Sequence, residues 1–536
     1  MPDQSLPFAV ILLTAAIAFG SPAGAQDASQ TPQAEAVLDM EAIEKAFVAR
    51  DFVTVRKGLE ALAAQSDDPL VQYRLGRALV QGLGGPADRV GAIAALEKAV
   101  AQNHAPASVL LARIFLAEGE FYRPERAASL LAAAAPRGNA EAQYRLGVLL
   151  STGVGVPQDV TAAFNWFLAA SEAGNKEAQY ELSKAYSRGQ GTKENVTEAL
   201  RWLEESAGAG HLQAQYFLAN AYENGPEAFR DAGRAVDWYR RAAEGGFAIA
   251  QRTLGTKYLT GDGSLAPDAT EAVRWLEAAA ERGDPGAAQN LAIGYLSGEV
   301  LPQDDQKAAK WFERASTSGL GRSSLAYGQL LEAGRGVEKD FEAAIKYYVK
   351  AVSESEKRAA LLLGRKAVAG ELEGYMAAQT AVPLVGLVLQ EESDEAARDW
   401  LQEQATAGNR PAQRQLGLWY LAQEDGAKDA APLLDAAAWA GDVEAQFQLG
   451  KLYTTGTGVS LDYVSAHKWL NVAGAAGHSE ALEMRAVVAN LMTPDQVAEA
   501  QSGAREFFAT ARDRTPQTDQ IVRDAEGNVV SSGTSD

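Results

Sequence analysis

No cysteine occurs anywhere in the 536 residues, which excludes disulfides, thiolate metal sites and a lipid-bearing N-terminal cysteine. Histidine is scarce, with four copies, and no H-E-x-x-H or comparable ligand spacing appears, so no metal is expected. Positive charge is in deficit: 49 Lys and Arg against 70 Asp and Glu leave a net charge of −21. A surface that displaces counterions from phosphates needs clustered cations, so nucleic acid is excluded as a partner. Beyond the N-terminus, no apolar run approaches the ~18 residues of a membrane-spanning helix. The longest, "AVPLVGLVLQ" at 381–390, is too short to cross a bilayer and interrupts an otherwise polar-patterned chain.

The N-terminus carries an apolar stretch from Phe8 to Phe19, a breaker at Pro22 and a small-x-small site at Ala23 and Ala25. This reads as a secretory signal peptide cut after Ala25, leaving a periplasmic or secreted protein, although its n-region has Asp3 and no Lys or Arg.

What the chain does have is a period. A leucine recurs at Leu75, Leu111, Leu146, Leu182, Leu218, Leu254, Leu291, as Tyr327, and at Leu363, in steps of 35 to 37 residues. An aromatic anchor follows at Trp166, Trp202, Trp238, Trp275, Trp311 and Tyr347, with an alanine three residues before each and Asp or Asn seven before. Asp or Asn ahead of a periodic apolar run is a helix N-cap. Glycines such as Gly174, Gly246 and Gly319, eight residues past the anchor, are expected to end that helix in the left-handed region. Each unit is therefore a helix A and a helix B with one apolar face, which must stack on its neighbours to be buried.

The motifs A-x-x-x-L-G at 142–147, G-x-G-V at 153–156 and D-x-x-x-A-x-x-W at 159–166 resemble those of the Sel1-like repeat family, reproduced from about Pro69 to about Arg485. The resemblance implies an all-α, right-handed α/α solenoid of about eleven tetratricopeptide-like helix pairs. It also implies adaptor or regulatory work, without cofactor or catalytic residue. The expected organisation is a signal peptide at 1–25, a helical cap at 26–68, repeats at 69–370 and 393–490, a capping helix at 491–514 and a disordered tail at 515–536.

The period breaks once. From Leu363 the next anchor, Leu416, lies 53 residues on, and Trp400, Ala397 and Ser393 supply the expected helix B signals. Seventeen extra residues are thus expected in the A–B loop, within 371–392, and the apolar run falls there. Three readings follow: a partner-binding projection using Leu384, Val385, Leu387 and Leu389, an extra short helix or strand folded against its own repeat, or a membrane-touching segment.

A second candidate surface is Tyr73, Tyr144, Tyr180 and Tyr216, each two residues before an anchor, placed to line the concave groove and grip another envelope protein or peptide. Tyr186, Tyr222, Tyr258 and Tyr295 read as inter-repeat core. His104, His211 and His478 fall at helix junctions and read as polar turn or cap residues. The alternatives are an envelope enzyme acting on peptidoglycan or β-lactams and a glycan-binding module. An S-x-x-K motif exists at Ser465 to Lys468, but its companion S-D-N and K-T-G elements do not.

Overall fold

The structure is a computed structural model that describes residues 39–261, 265–513, 522–523 and 529–530. The signal-peptide segment 1–25, the first part of the 26–68 cap and most of the 515–536 tail lie outside the described residues. Among the described residues the chain forms 27 α-helices, from Met40–Val48 to Pro494–Asp513. Val522–Arg523 and Val529–Val530 pair as two antiparallel two-residue strands.

Local chemistry sets the helix ends. Helix A Ala140–Thr152 starts at Asn139, whose side chain accepts from Ala142 N–H, and stops at Gly153 with φ of 76°. Helix B Val160–Glu172 is capped by Asp159, which accepts from Thr161 and Ala162 N–H. The backbone N–H of Asp159 donates back to Leu150 O at 2.9 Å. The same bond closes the later A–B turns, from Asp268 to Tyr258 O and from Asp462 to Tyr453 O. Each bond satisfies an orphan carbonyl of helix A while fixing where helix B begins.

Packing between A and B turns on the glycine after the anchor. A Cβ on Gly76 would strike the side chain of Leu96, and one on Gly328 that of Tyr348. The absent side chain lets the helices of a pair approach closely. Gly155, at φ of 70°, sits against the Pro124 carbonyl of the preceding repeat, where any side chain would collide with backbone.

The helices divide into two compact units, 1–206 and 207–536. In the first, Leu96, Leu111, Phe115, Leu131 and Leu146 form a continuous core across successive repeats. In the second, a larger core runs from Ala272 to Leu416. Both consist of antiparallel helix pairs, each packed on the next, so the architecture is that of an all-α repeat solenoid.

The ninth unit departs from expectation. Residues 371–392 do not form a loop: Ala378–Glu392 is a helix, and Ser393 ends it with φ of 51° instead of opening helix B. Asp394 is the N-cap of the next helix, Glu395–Thr406, accepting from Ala397 N–H at 2.8 Å. A Cβ on Gly364 would lie 2.5 Å from Leu384 O and 2.7 Å from Val388. Gly450 meets Ala466 O and Leu470 in the same way. The inserted helix therefore takes the hairpin position that helix B fills elsewhere. The helix Glu395–Thr406 keeps helix B's other contact, with the following helix A, through Gln413 Nε2 donating to Ala405 O at 3.0 Å. The inserted helix shares that contact, since a Cβ on Gly386 would strike the Gln415 side chain of the following helix A.

At the C-terminal end, Thr493 and Gln496 bond reciprocally through side chain and backbone N–H, forming a capping box. The helix Pro494–Asp513 lays Phe507 against Trp439 and Trp469, with ring centroids 5.7 and 5.5 Å away.

Candidate interaction surface

The position two residues before each anchor lies in a seam between repeats. The Tyr73 ring is 4.9 Å from that of His104, the N-cap of the next helix A. Tyr216 meets Phe247 at 5.6 Å, and Phe447 stacks on His478 at 4.1 Å. Where this position is arginine, the next N-cap is aspartate: Arg252 pairs with Asp284 at 3.0 Å and Arg414 with Asp442 at 3.1 Å. Tyr144 is half-buried against Phe167, and burial, with Glu181 adding, pushes its hydroxyl pKa up to about 12. Tyr180 is buried, and Lys184 Nζ lies 4.9 Å from its ring centroid. Tyr73 and Tyr216 thus bridge to the next repeat, whereas the ring contact of Tyr144 is to helix B of its own repeat. In the second row, Tyr295 is buried and Tyr186, Tyr222 and Tyr258 are half-buried.

The inserted helix turns its apolar residues inward. Val385 is 0% and Leu389 1% exposed, Leu384 and Leu387 are half-buried, and Pro383 and Gln390 face out. Of the four residues considered for partner contact, two are core.

His104, His211 and His478 act as N-caps through Nδ1, accepting from Ala107, Ala214 and Ala481 N–H at 3.2, 3.1 and 3.3 Å. His467 is buried with its Nδ1 unpartnered, and burial, reinforced by Arg485, holds its pKa below the ordinary value. Lys468 lies over Trp439 and Trp469, 4.1 and 4.7 Å from the ring centroids. No hydrogen bond joins it to Ser465 among the described residues. No group of three or more metal-ligating side chains occurs among them either, and none of their helices is long and apolar enough to cross a membrane.

One row escaped the sequence reading. Three residues before the anchor, buried glutamines donate Nε2 to a carbonyl at the end of the preceding helix B. Gln143 reaches Ala135 O at 3.1 Å, Gln251 reaches Ala243 O at 3.0 Å and Gln446 reaches Ala438 O at 3.0 Å. Their recurrence was legible at Gln72, Gln143, Gln179, Gln215 and Gln251. A polar side chain in an apolar face is the available signal, since it must find a partner there.

What helix A leaves outward are the positions five and one before the anchor and two and six after it. On Lys176–Arg188, in the first unit, these are Glu177, Glu181, Lys184 and Arg188. On three successive A helices of the second unit the charges vanish from these positions. Leu212–Asn224 presents Gln213, Phe217, Asn220 and Asn224; Ala248–Thr260 presents Ile249, Thr253, Thr256 and Thr260; Pro285–Ser297 presents Gly286, Asn290, Ile293 and Ser297. Phe217 is 46%, Ile249 39% and Ile293 48% exposed. Asn290 Nδ2 donates to Thr256 Oγ1 at 2.7 Å, linking two of the helices. The flanking charges pair off, Arg252 with Asp284 and Lys257 with Glu223, which also accepts from Tyr239 OH at 2.8 Å.

A family model described as Sel1 repeat matches residues 69–104, 140–175, 176–211, 212–247, 248–284, 285–320, 322–355 and 443–478. The unmatched stretches hold the helix Pro124–Ala134, which has no side-chain cap, and the three-helix ninth unit. Among curated proteins, the chitin synthase regulator SKT5 of Malassezia restricta is 35% identical over 94 residues, 18% of this chain. The chain spans 6% of that relative's length. Among solved structures, a protective antigen present in uropathogenic Escherichia coli strains, displaying an SLR fold, is 24% identical with a TM-score of 0.51. The match covers 89% of this chain and 99% of that one. A Sel1 repeat protein from Oxalobacter formigenes is 27% identical over 46% of this chain and 96% of its own, with a TM-score of 0.39.

Proposed function

Because the chain belongs to the Sel1 repeat family, we propose that it is an exported, non-enzymatic scaffold that binds another protein of the cell envelope through the outward face of its A helices. The observation that carries this reading is the uncharged strip on the second unit, where three apolar side chains stay exposed in a chain of net charge −21. Such patches on acidic, soluble-patterned surfaces mark contacts with partners. A regulatory role accords with the relative named a chitin synthase regulator, and export accords with the N-terminal signal pattern. Repeat stacks supply extended surface in place of a preorganised cavity, and S-x-x-K here has its lysine committed to two tryptophan faces.

The test is a photo-reactive phenylalanine analogue placed singly at Phe217, Ile249 and Ile293 in cells, with Glu181 as the control position. A discrete protein adduct from the three strip positions, absent from the control, is expected. Equal adducts everywhere, or none, would sink the reading. Fractionation of a C-terminally tagged chain checks the export half: a product beginning at Gln26 outside the cytoplasm is expected, and an intact cytoplasmic chain refutes it.

A further inference from the structure

We propose that Tyr222, Arg234, Asp237, Trp238 and Arg241 form a binding site for the carboxylate group of a small organic acid. The five side chains line one open cavity of about 270 Å3 in the second unit. None of them belongs to the outward strip of the A helices, so the site is independent of the scaffold reading.

The sequence places the charges. Arg234, Asp237 and Arg241 are spaced by three and then four residues on the helix Ala232–Glu244, which puts them on one stripe. Asp237 stands between the two arginines, yet its carboxylate pairs with Arg240 at 3.3 Å. Arg234 reaches the N-cap carboxylate of Asp231 at 3.5 Å. Arg241 is left over. In later repeats the residue at its place, three past the anchor, ties its helix to the preceding one: Arg314 donates to Ala280 O at 2.9 Å and Lys350 to Ser316 O at 2.8 Å. Among the described residues Arg241 has no carbonyl or carboxylate partner, in a chain whose net charge is −21. A cation left unmatched amid such an excess of acid calls for an anion from outside the chain.

The aromatic side chains aim these cations. Arg241 Cζ lies 4.6 Å from the Trp238 ring centroid and Arg234 Cζ 5.6 Å from that of Tyr222, whose hydroxyl is 3.4 Å from Arg234 Nη1. A guanidinium over a ring spends its face on the ring and keeps its N–H edge for a planar, bidentate acceptor. A carboxylate is that acceptor.

Charge and size narrow the class. Arg234, Arg240 and Arg241 face the carboxylates of Asp231 and Asp237, which leaves one positive charge for a ligand to neutralise. A monocarboxylate matches it, whereas a phosphate monoester would bring roughly two negative charges and leave one uncompensated beside Asp237. The cavity is smaller than the ~300–1,000 Å3 that enclose drug-sized ligands, so the acid is compact. The rings of Tyr222 and Trp238 leave apolar surface for its body.

The experiment is calorimetric titration of the full chain, at low ionic strength, with sodium benzoate, methyl benzoate and inorganic phosphate. Benzoate is expected to bind at one site per chain, the uncharged ester not at all, and phosphate about ten-fold more weakly. Arg241→Gln, at an exposed position and checked for folding by circular dichroism, is expected to weaken benzoate binding about ten-fold, as the loss of one charge-assisted contact does. Arg241→Lys keeps the charge and loses the fork, so it should recover only part of that loss. Asp237→Asn removes the competing carboxylate and is expected to tighten binding about three-fold. Equal binding of the ester, tighter binding of phosphate, an Arg241→Gln chain that folds and binds as well as the parent, looser binding by Asp237→Asn, or no heat with benzoate overturns the proposal. Photo-adducts at Phe217, Ile249 and Ile293 depend on none of these outcomes, so the scaffold reading stands or falls separately.

Discussion

At the residue scale, the buried glutamines carry more of the repeat seam than their polarity suggests. Gln251 satisfies the Ala243 carbonyl at the end of a helix, and its own Oε1 is left without a partner. Gln251→Met fills the space but removes this bond from the Ala243 carbonyl, which keeps its bond from Gly246 N–H, so a loss of about 0.5–1.5 kcal/mol in denaturant unfolding is expected. His104 makes a pH-dependent cap. Burial holds its pKa below the ordinary value, with Asp68 opposing, so the folded state binds fewer protons than the unfolded chain. Stability from this group is complete above about pH 6.5 and is lost as pH falls through the folded value. Replacing it by Asn, which caps without titrating, should flatten the decline of Tm between about pH 7 and 5. An unchanged slope would assign that decline elsewhere. Glu332 contributes at lower pH. Burial opposes its ionisation, but hydrogen bonds from Lys366 and Tyr348 outweigh that and hold its pKa below the ordinary value. Its contribution is present above about pH 4.5 and is lost as pH falls further.

At the element scale, the inserted helix is structural in its contacts. Leu389→Ala should cost about 2–5 kcal/mol, as truncation of a buried leucine does. Gly364→Ala should cost about 1–3 kcal/mol by pushing a Cβ onto the Leu384 carbonyl. Hydrogen exchange would locate both losses in 357–406. If exchange there is unmoved by either change, the helix is not the closing partner of Lys357–Val368. The register predicted seventeen extra residues within 371–392, and the structure has the helix Ala378–Glu392 in that stretch. The register left the element open between a projection and a short helix or strand packed on its own repeat, because an apolar run with an internal proline, Pro383, has no clear helical periodicity. The flanking Ser393 and Asp394 are both acceptable caps, and only packing against Gly364 chose between them.

At the scale of the whole molecule, each helix packs mainly on those adjacent in sequence, as pairs or between neighbouring repeats. Stability is then a sum of local terms. Unfolding should depart from two-state behaviour, with tryptophan fluorescence and far-UV circular dichroism giving different denaturant midpoints. Coincident midpoints would show cooperativity beyond nearest neighbours.

The order of the A and B helices, their caps and the identity of the repeat were determined by the sequence itself, because each is a local matter of a side chain bonding its own backbone or of a periodic apolar face. The roles of the tyrosines were not, since the same spacing suits a groove and a seam. Nor was the partner of the apolar run, since a hydrophobic segment is equally consistent with a docking surface and with burial. Those were decided by tertiary contacts between residues far apart in the chain, such as Tyr73 with His104 and Gly364 with Leu384. Only these contacts distinguish the face that is covered from the one left outward.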